Sequence, residues 1–231
     1  MRDRFSWPGV ASLLRTLTRP LLWQTCSLCT RKAHGSFCPD CYRQLLECHS
    51  NFWDPQSRLM AWGHYHGTLR RAIAQLKYQN QQVIAQTFGD WLGDQWLQIQ
   101  PQRHGYQVIP IPLHPQRLQD RGYNQAALIA DRFCRNTGLR FNPAGLQRVK
   151  ATQPQFSLSP SDRFENLRYA FALGSSLATT HRALPILLVD DIYTTGATMK
   201  SATIALSQKG FHVAGRLVVA KVVEAGSLAP E

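Results

Sequence analysis

Residues Leu187–Ala202 read LLVDDIYTTGATMKSA, and the fold follows from them. Ile186 to Val189 is an unbroken apolar run, as expected of a parallel strand buried on both faces. Ala197 to Lys209 has helical spacing, with Met199, Ala202, Ala205 and Leu206 facing inward and Gly210 at its end. Arg216 to Val223 then supplies a second strand, LVVAKVV. Strand, loop, helix and strand make a βαβ unit. The expected class is α/β with a parallel, Rossmann-like sheet, whose ligands bind at the carboxyl ends of the strands. At that end stand two adjacent acids, Asp190 and Asp191, and then Thr194, Thr195, Gly196, Ala197 and Thr198. The first amides of a helix lack intrahelical partners and sit at the positive end of its dipole. Threonine hydroxyls add donors, and Gly196 lets the backbone curl closely round an anion, so the loop suits a phosphate. The Walker pattern G-x-x-x-x-G-K-[ST] is absent here. The acids repel phosphate and suit hydroxyl donors or a metal. A ribose phosphate satisfies both halves, its diol on the acids and its phosphate in the loop. The plainer alternative is a helix-capping acid pair followed by a polar turn.

Upstream, Leu59 to Tyr65 has strand character, and two helices follow. Leu69, Ile73 and Leu76 share the face of the first; Ile84, Phe88 and Leu92 share that of the second, with a break near Asn80 and a stop at Pro101. Lys77 is expected to be a solvated cation at a helix end, with phosphate binding as the sharper reading. Gln107 to Ile111 is a short strand ended by prolines. His114, Arg117 and Arg121 follow in an extended or turn-like stretch, and Gly122 allows a turn. Asn124 caps a helix that ends at Gly138. A strand leading to clustered cations at a helix start suits an anion, and a solvated basic turn fits equally. The polar segment from Arg148 to Phe171 reads as a loop or a short hairpin.

The cysteines define a separate head. Cys26-Ser-Leu-Cys29 and Cys38-Pro-Asp-Cys41 are two C-x-x-C knuckles, the pattern of a closed tetrahedral Zn²⁺ site with a structural role. Disulfides would need an oxidising compartment, and no export signal is read in the sequence. His34 lies between the knuckles and is a substitute ligand, though four thiolates suffice; Cys48 and Cys134 read as buried small hydrophobes. The expected division is an N-terminal helix with a four-cysteine zinc module over 1–50 and an α/β domain over 51–231. Apolar residues at 44% and charged ones at 17% exclude a disordered chain. No apolar run is long enough for a membrane span. Val10, Leu13, Leu14 and Leu17 mark a short amphipathic helix, and a cytoplasmic location is expected. A net charge of +12 favours polyanionic partners.

LLVDDIYTTGAT resembles the phosphoribosyl-pyrophosphate (PRPP) motif of type I phosphoribosyltransferases. Together with the cysteine head and HPQRLQDRGYNQ at 114–125, the chain resembles the ComF/GntX family of competence-associated, phosphoribosyltransferase-like proteins. The resemblance implies the type I phosphoribosyltransferase fold and PRPP bound with Mg²⁺. Asp190 and Asp191 would bind the ribose hydroxyls and Thr194 to Thr198 the 5′-phosphate. Arg117 and Arg121 are candidate pyrophosphate ligands, and Gln153, Arg163 and Asn166 belong to a flap over the site. Chemistry of this kind displaces pyrophosphate at the anomeric carbon, with the protein positioning the groups and stabilising charge. Thr194 stands where hypoxanthine–guanine transferases carry an aspartate base, which puts that purine reaction in doubt. The resemblance also implies a role in competence and DNA uptake, with single-stranded DNA and uptake machinery such as a competence helicase as partners. Two readings stand at this point: phosphoribosyl transfer to an unidentified acceptor, or a non-catalytic PRPP-responsive module that binds single-stranded DNA or regulates. Trp53, Trp62 and Tyr65 are the aromatic residues offered for stacking.

Overall fold

The computed structural model describes residues 23–100, 105–150, 170–178 and 184–223. The expected helix around Val10–Leu17 and the flap residues Gln153, Arg163 and Asn166 lie outside the described residues. The chain alternates strands and helices as the central βαβ unit requires. The main sheet has six strands: β3 (His49–Asp54), β4 (Leu59–His64), β5 (Gln107–Pro110), β6 (Arg140–Phe141), β9 (Ile186–Tyr193) and β10 (Val213–Lys221). Their spatial order is β3-β4-β10-β9-β5-β6. Edge strand β3 is antiparallel to β4, and the other pairings are parallel. This is an α/β fold with a mixed, mostly parallel sheet.

Strand β9 lies between β10 and β5, with Leu187 level with Val108 on one side and Gly215 on the other. Its residues alternate between two cores, which explains the continuous apolar run. Leu187 and Val189 face helices α2 (Gly67–Tyr78), α3 (Val83–Ile99) and α5 (Gln125–Thr137), among Leu69, Leu76, Phe88 and Phe133. Ile186 and Leu188 face the opposite side, where Met199, Ala202 and Leu206 of helix α7 (Ala197–Ser207) pack. Helices α3 and α5 touch closely. A Cβ on Gly89 would lie 2.7 Å from the Ile129 carbonyl oxygen, so a larger residue would force them apart. Arg132 clamps the same contact through two bonds to Asp90 at 2.7 and 2.8 Å.

The local signals hold where their chemistry is strong. Asn124 Oδ1 accepts from the Ala126 amide at 3.0 Å, and Gly138 ends α5 at φ 77°. Asn80 breaks α2 from α3 with a left-handed φ of 53°. One stretch differs from expectation: residues 115–121 form helix α4 (Pro115–Arg121), where the sequence suggests an extended or turn-like stretch. Pro115 supplies a first-turn proline and His114 Nδ1 accepts from the Gln116 amide, so the helix start is built in. The Arg148–Phe171 segment begins and ends in a hairpin stem, with β7 (Leu146–Arg148) antiparallel to β8 (Phe171–Leu173). The one-turn helix α6 (Ser175–Ala178) follows β8. A chain of bonds ties this region to the sheet: Asn142 donates to Gln107 Oε1 and accepts from Ser176 of α6.

The cysteine head begins with the small hairpin β1 (Gln24–Thr25) and β2 (Lys32–Ala33), followed by α1 (Pro39–Leu46). Phe37 and Tyr42 pack on Trp91 of α3, and Trp91 stacks on Trp62 of β4 at 4.1 Å. Cys48 and Cys134 are buried, as expected of small hydrophobes. No helix among the described residues is long and apolar enough to cross a membrane.

Candidate functional site

Strand β9 runs past Val189 to Tyr193, so both acids lie within the strand rather than after it. Alternation puts Asp191 on the α2 side with Leu187 and Val189. There Lys77, the penultimate residue of α2, reaches Asp191 Oδ2 at 2.6 Å. Lys77 is 18% exposed and Asp191 5%, so the expectation of a solvated cation is corrected to a buried ion pair. Helix α2 ends over the sheet, and Tyr123 pins that end by donating its hydroxyl proton to the Leu76 carbonyl. Among the described residues no aligned hydrogen bond reaches Asp191 Oδ2, so the contact with Lys77 is chiefly one of charge. Burial alone pushes the Lys77 ammonium down, but Asp191 and then Asp190 outweigh it and the net shift is upward.

Asp190 Oδ1 accepts from the Asp191 amide at 2.9 Å, which fixes its orientation. Burial and the neighbouring Asp191 charge push the Asp190 carboxyl up to about 8, against the pull of Lys77. The residue as a whole is only partly covered. Loop 194–196 follows, with Thr194 and Thr195 exposed. Gly196 is the α7 N-cap at φ 74°, and no side chain among the described residues caps the helix there. A Cβ on Gly196 would meet the Tyr193 ring, so a larger residue needs that ring to move as well as a strained φ. The acids, the loop and an uncapped helix start therefore share the carboxyl end of the central strand.

The cations do not act alike. Arg148, on the hairpin stem, lies with Phe171 against its guanidinium, 5.5 Å from the ring centroid. Burial lowers the Arg148 pKa, Arg117 lowers it further and Asp190 opposes both, so these three charges share one region. Arg121 donates to Gln125 and lies 5.5 Å from the Tyr78 ring centroid. The structure thus groups Arg117 with the acids through Arg148, and holds Arg121 at the end of α2. Sequence reasoning missed Arg148 and the pairing of Lys77. Neither has a local signal: Lys77 reads as an ordinary helix-end lysine until α2 is laid across the sheet.

In the head, the Cys26, Cys29, Cys38 and Cys41 sulfurs all lie within 4.8 Å of one another. Cys29 and Cys38 are 3.5 Å apart. A tetrahedron with sulfurs about 2.3 Å from Zn²⁺ has edges of roughly 3.8 Å, so this cluster fits a structural zinc ion. The knuckle is shaped by the backbone, with Thr30 at φ 63° and its amide bonded to the Cys26 carbonyl at 3.1 Å. Arg31 donates to Cys29 Sγ at 3.3 Å and pairs with Asp40 at 2.7 Å. That guanidinium holds the Cys29 thiol down at about 6, which favours the thiolate a metal needs. His34 is not among the clustered ligands; its ring lies against Trp23 at 3.9 Å.

No family model matches the sequence. Curated relatives do. Competence protein F of Haemophilus influenzae is 32% identical over 186 residues, covering 77% of this chain and 75% of that protein. The chain belongs to the ComF family. Bacillus subtilis competence protein ComFC, at 26% over 200 residues, covers 85% of this chain and 77% of its own length. The DNA utilization protein YhgH of Escherichia coli K12, at 28% over 217 residues, covers 88% and 92%. Family membership thus agrees with the motifs at Cys26–Cys41, 114–125 and 187–198. It extends over most of the chain, so the cysteine head and the acid–threonine site belong to one ComF protein.

Proposed function

We propose that this ComF protein binds PRPP with Mg²⁺ and serves in DNA uptake or utilisation. The observation that carries the ligand is the acid pair and glycine-bent threonine loop at one strand end, before an uncapped helix. Asp190 and Asp191 would accept from the ribose diol. Thr194 to Thr198 would hold the 5′-phosphate through hydroxyls and first-turn amides. Arg117 and Arg148 supply positive charge for the pyrophosphate, with Arg121 beyond them. The carboxylates are hard oxygen donors of the kind Mg²⁺ takes alongside substrate phosphates. The role in DNA follows the names of the relatives, competence protein F and DNA utilization protein. On this reading the fold is that of a type I phosphoribosyltransferase.

Thr194 cannot act as a base near neutral pH, so the residues in place bind and polarise PRPP more plainly than they activate an acceptor. Calorimetry with PRPP and Mg²⁺ tests the binding. Wild type is expected to bind, and Asp190→Asn with Asp191→Asn to lose binding while keeping its circular dichroism. A wild-type protein that fails to bind PRPP at pH 8.5 would sink the proposal. Acceptor-dependent pyrophosphate release would add transfer to binding; its absence across nucleobase and amine acceptors leaves a PRPP-responsive binding protein.

A further inference from the structure

Of the six cysteines, five are buried and Cys29 alone is partly exposed. Cys48 and Cys134 are sealed in the core, and Cys48 Sγ lies 3.6 Å from the Gln44 carbonyl oxygen. Cys29 sits instead at the surface end of the first knuckle, beside exposed Thr30 and Arg31. Its sulfur accepts a bond from Arg31 Nε at 3.3 Å, and that arginine side chain is 60% exposed. Across the cluster, 3.5 Å from Cys29 Sγ, stands the buried sulfur of Cys38 on the other knuckle. A sulfur that zinc would hold as a thiolate, that solvent reaches and that has a second sulfur in contact is one that peroxides oxidise selectively. The second knuckle is also tied to the core on both sides. Phe37, before Cys38, and Tyr42, after Cys41, both lie on Trp91. What happens at Cys38 is therefore passed to a tryptophan.

We propose that Cys29 is a site of oxidation by hydroperoxides, with Cys38 as the cysteine that closes the disulfide. The Cys29 sulfur attacks the peroxide O–O bond, gains an S–O bond and expels hydroxide, leaving a sulfenic acid. The Arg31 guanidinium beside it opposes the negative charge that builds on the departing oxygen. The Cys38 thiolate then attacks the Cys29 sulfur and expels a second hydroxide. In sum, two thiolates, one hydrogen peroxide and two protons from solvent give one disulfide and two waters. A disulfide holds its sulfurs about 2.0 Å apart, against roughly 3.8 Å for the edge of a zinc tetrahedron. Cys26 and Cys41 are then the only thiolates left, too few for a closed site. The inference rests on the four-cysteine cluster as a zinc site and is independent of the ribose-phosphate reading.

The test adds hydrogen peroxide to the full chain as purified, its zinc content measured first, and maps the tryptic peptides. Trypsin cuts after Arg31 and Lys32, between the knuckles. A Cys29–Cys38 link therefore joins two peptides, and a link inside one knuckle joins none. The inter-knuckle link is expected as the first product, with one zinc ion released per link to a chromogenic chelator and tryptophan emission shifted to the red. Cys48 and Cys134 are expected to stay reduced, and dithiothreitol with added zinc to reverse every change. In Cys38→Ser, dimedone is expected to label Cys29, caught as the sulfenic acid. A first link inside a knuckle, sulfenic acid formed first at another cysteine, or Cys48 and Cys134 oxidised as fast as Cys29 would each overturn the proposal. The wild-type map decides this even if Cys38→Ser does not fold. The zinc content separates the two ideas. A metal-free protein that still forms the Cys29–Cys38 link removes the zinc reading alone; a zinc-loaded protein that forms no link removes the oxidation site alone.

Discussion

Replacing Lys77 with methionine keeps the length of the side chain and deletes its charge. In the native protein the ammonium lies 2.6 Å from Asp191 Oδ2, with the two side chains 18% and 5% exposed. Removing one member of a buried pair leaves the other charge uncompensated and costs about 3–5 kcal/mol. The lower figure applies here, because Asp190 is partly open to water and already holds a proton through most of the neutral range. With a urea m-value of about 2–3 kcal/mol/M, a loss of about 3 kcal/mol lowers the midpoint by about 1 M. The pH dependence gives the sharper test. Lys77 has a raised pKa in the folded state, so its contribution is complete below its unfolded value and fades as pH rises through the folded one. Asp190, pushed up to about 8, takes up its proton as the pH falls, so its share of the difference between wild type and Lys77→Met shrinks from pH 9 toward pH 6. The difference should therefore be larger near pH 9 than near pH 6. Urea unfolding followed by tryptophan fluorescence measures it. A Lys77→Met protein within about 0.5 kcal/mol of wild type at pH 8 would refute the buried ion pair. So would a deficit that does not change with pH.

Three further outcomes follow from the site and the head. Asp190, pushed up to about 8, must lose its proton to accept a diol hydrogen bond or a metal. PRPP–Mg²⁺ affinity measured by calorimetry should therefore rise with pH between 6 and 8.5, by up to about tenfold per unit, and level off above; a flat profile would mean that Asp190 is not a ligand. The same raised pKa means that the free protein loses stability as pH rises from the ordinary carboxylate range toward 8, a loss the ligand reverses. Gly196→Ala puts a Cβ into the Tyr193 ring at a φ of 74°, so it should abolish PRPP binding and cost about 1–3 kcal/mol of stability; native affinity in that variant would show that the loop does not hold the phosphate. Zinc analysis should find one ion per chain, and chelation should loosen Phe37 and Tyr42 from Trp91 and shift the tryptophan emission to the red; a metal-free protein with native emission would remove the structural role.

Local chemistry made the parts of this molecule legible that depend on neighbours in sequence. The run from Ile186 to Val189 could be read as a two-sided strand because alternate residues feed two cores, and both cores ask for apolar side chains. Asn124 and Gly138 mark helix α5 because a cap and a left-handed stop are properties of single residues. The two C-x-x-C knuckles carry their own geometry. Helix α4 is hard to read because it is two turns long and has no buried residue, so it has no apolar period, and its only signal is Pro115 after a capping His114. The aromatic residues are hard to read for the opposite reason. Trp62 looks like an exposed ring on a short strand until Trp91, from a helix far along the chain, covers it.

The charged residues of the site depend most on tertiary structure, and they change what the acid pair means. In the sequence Asp190 and Asp191 are equivalent neighbours. In the fold one is buried against Lys77 and the other is half-open and proton-holding. A ligand that needs two carboxylate acceptors therefore meets one held in an ion pair and one that must release a proton. Arg148, from the hairpin stem, and Arg117, from α4, bring positive charge to Asp190 from separate elements. The proton on Asp190 lowers the net negative charge of the acid pair, so an anionic ligand approaches a site that repels it less. Once bound, a metal ion carried by the ligand would favour the ionised form. Proton release is thus coupled to ligand binding by the same burial that raises the Asp190 pKa. Measured in two buffers of different ionisation enthalpy, binding at pH 7 should release close to one proton, and release of none would break that coupling.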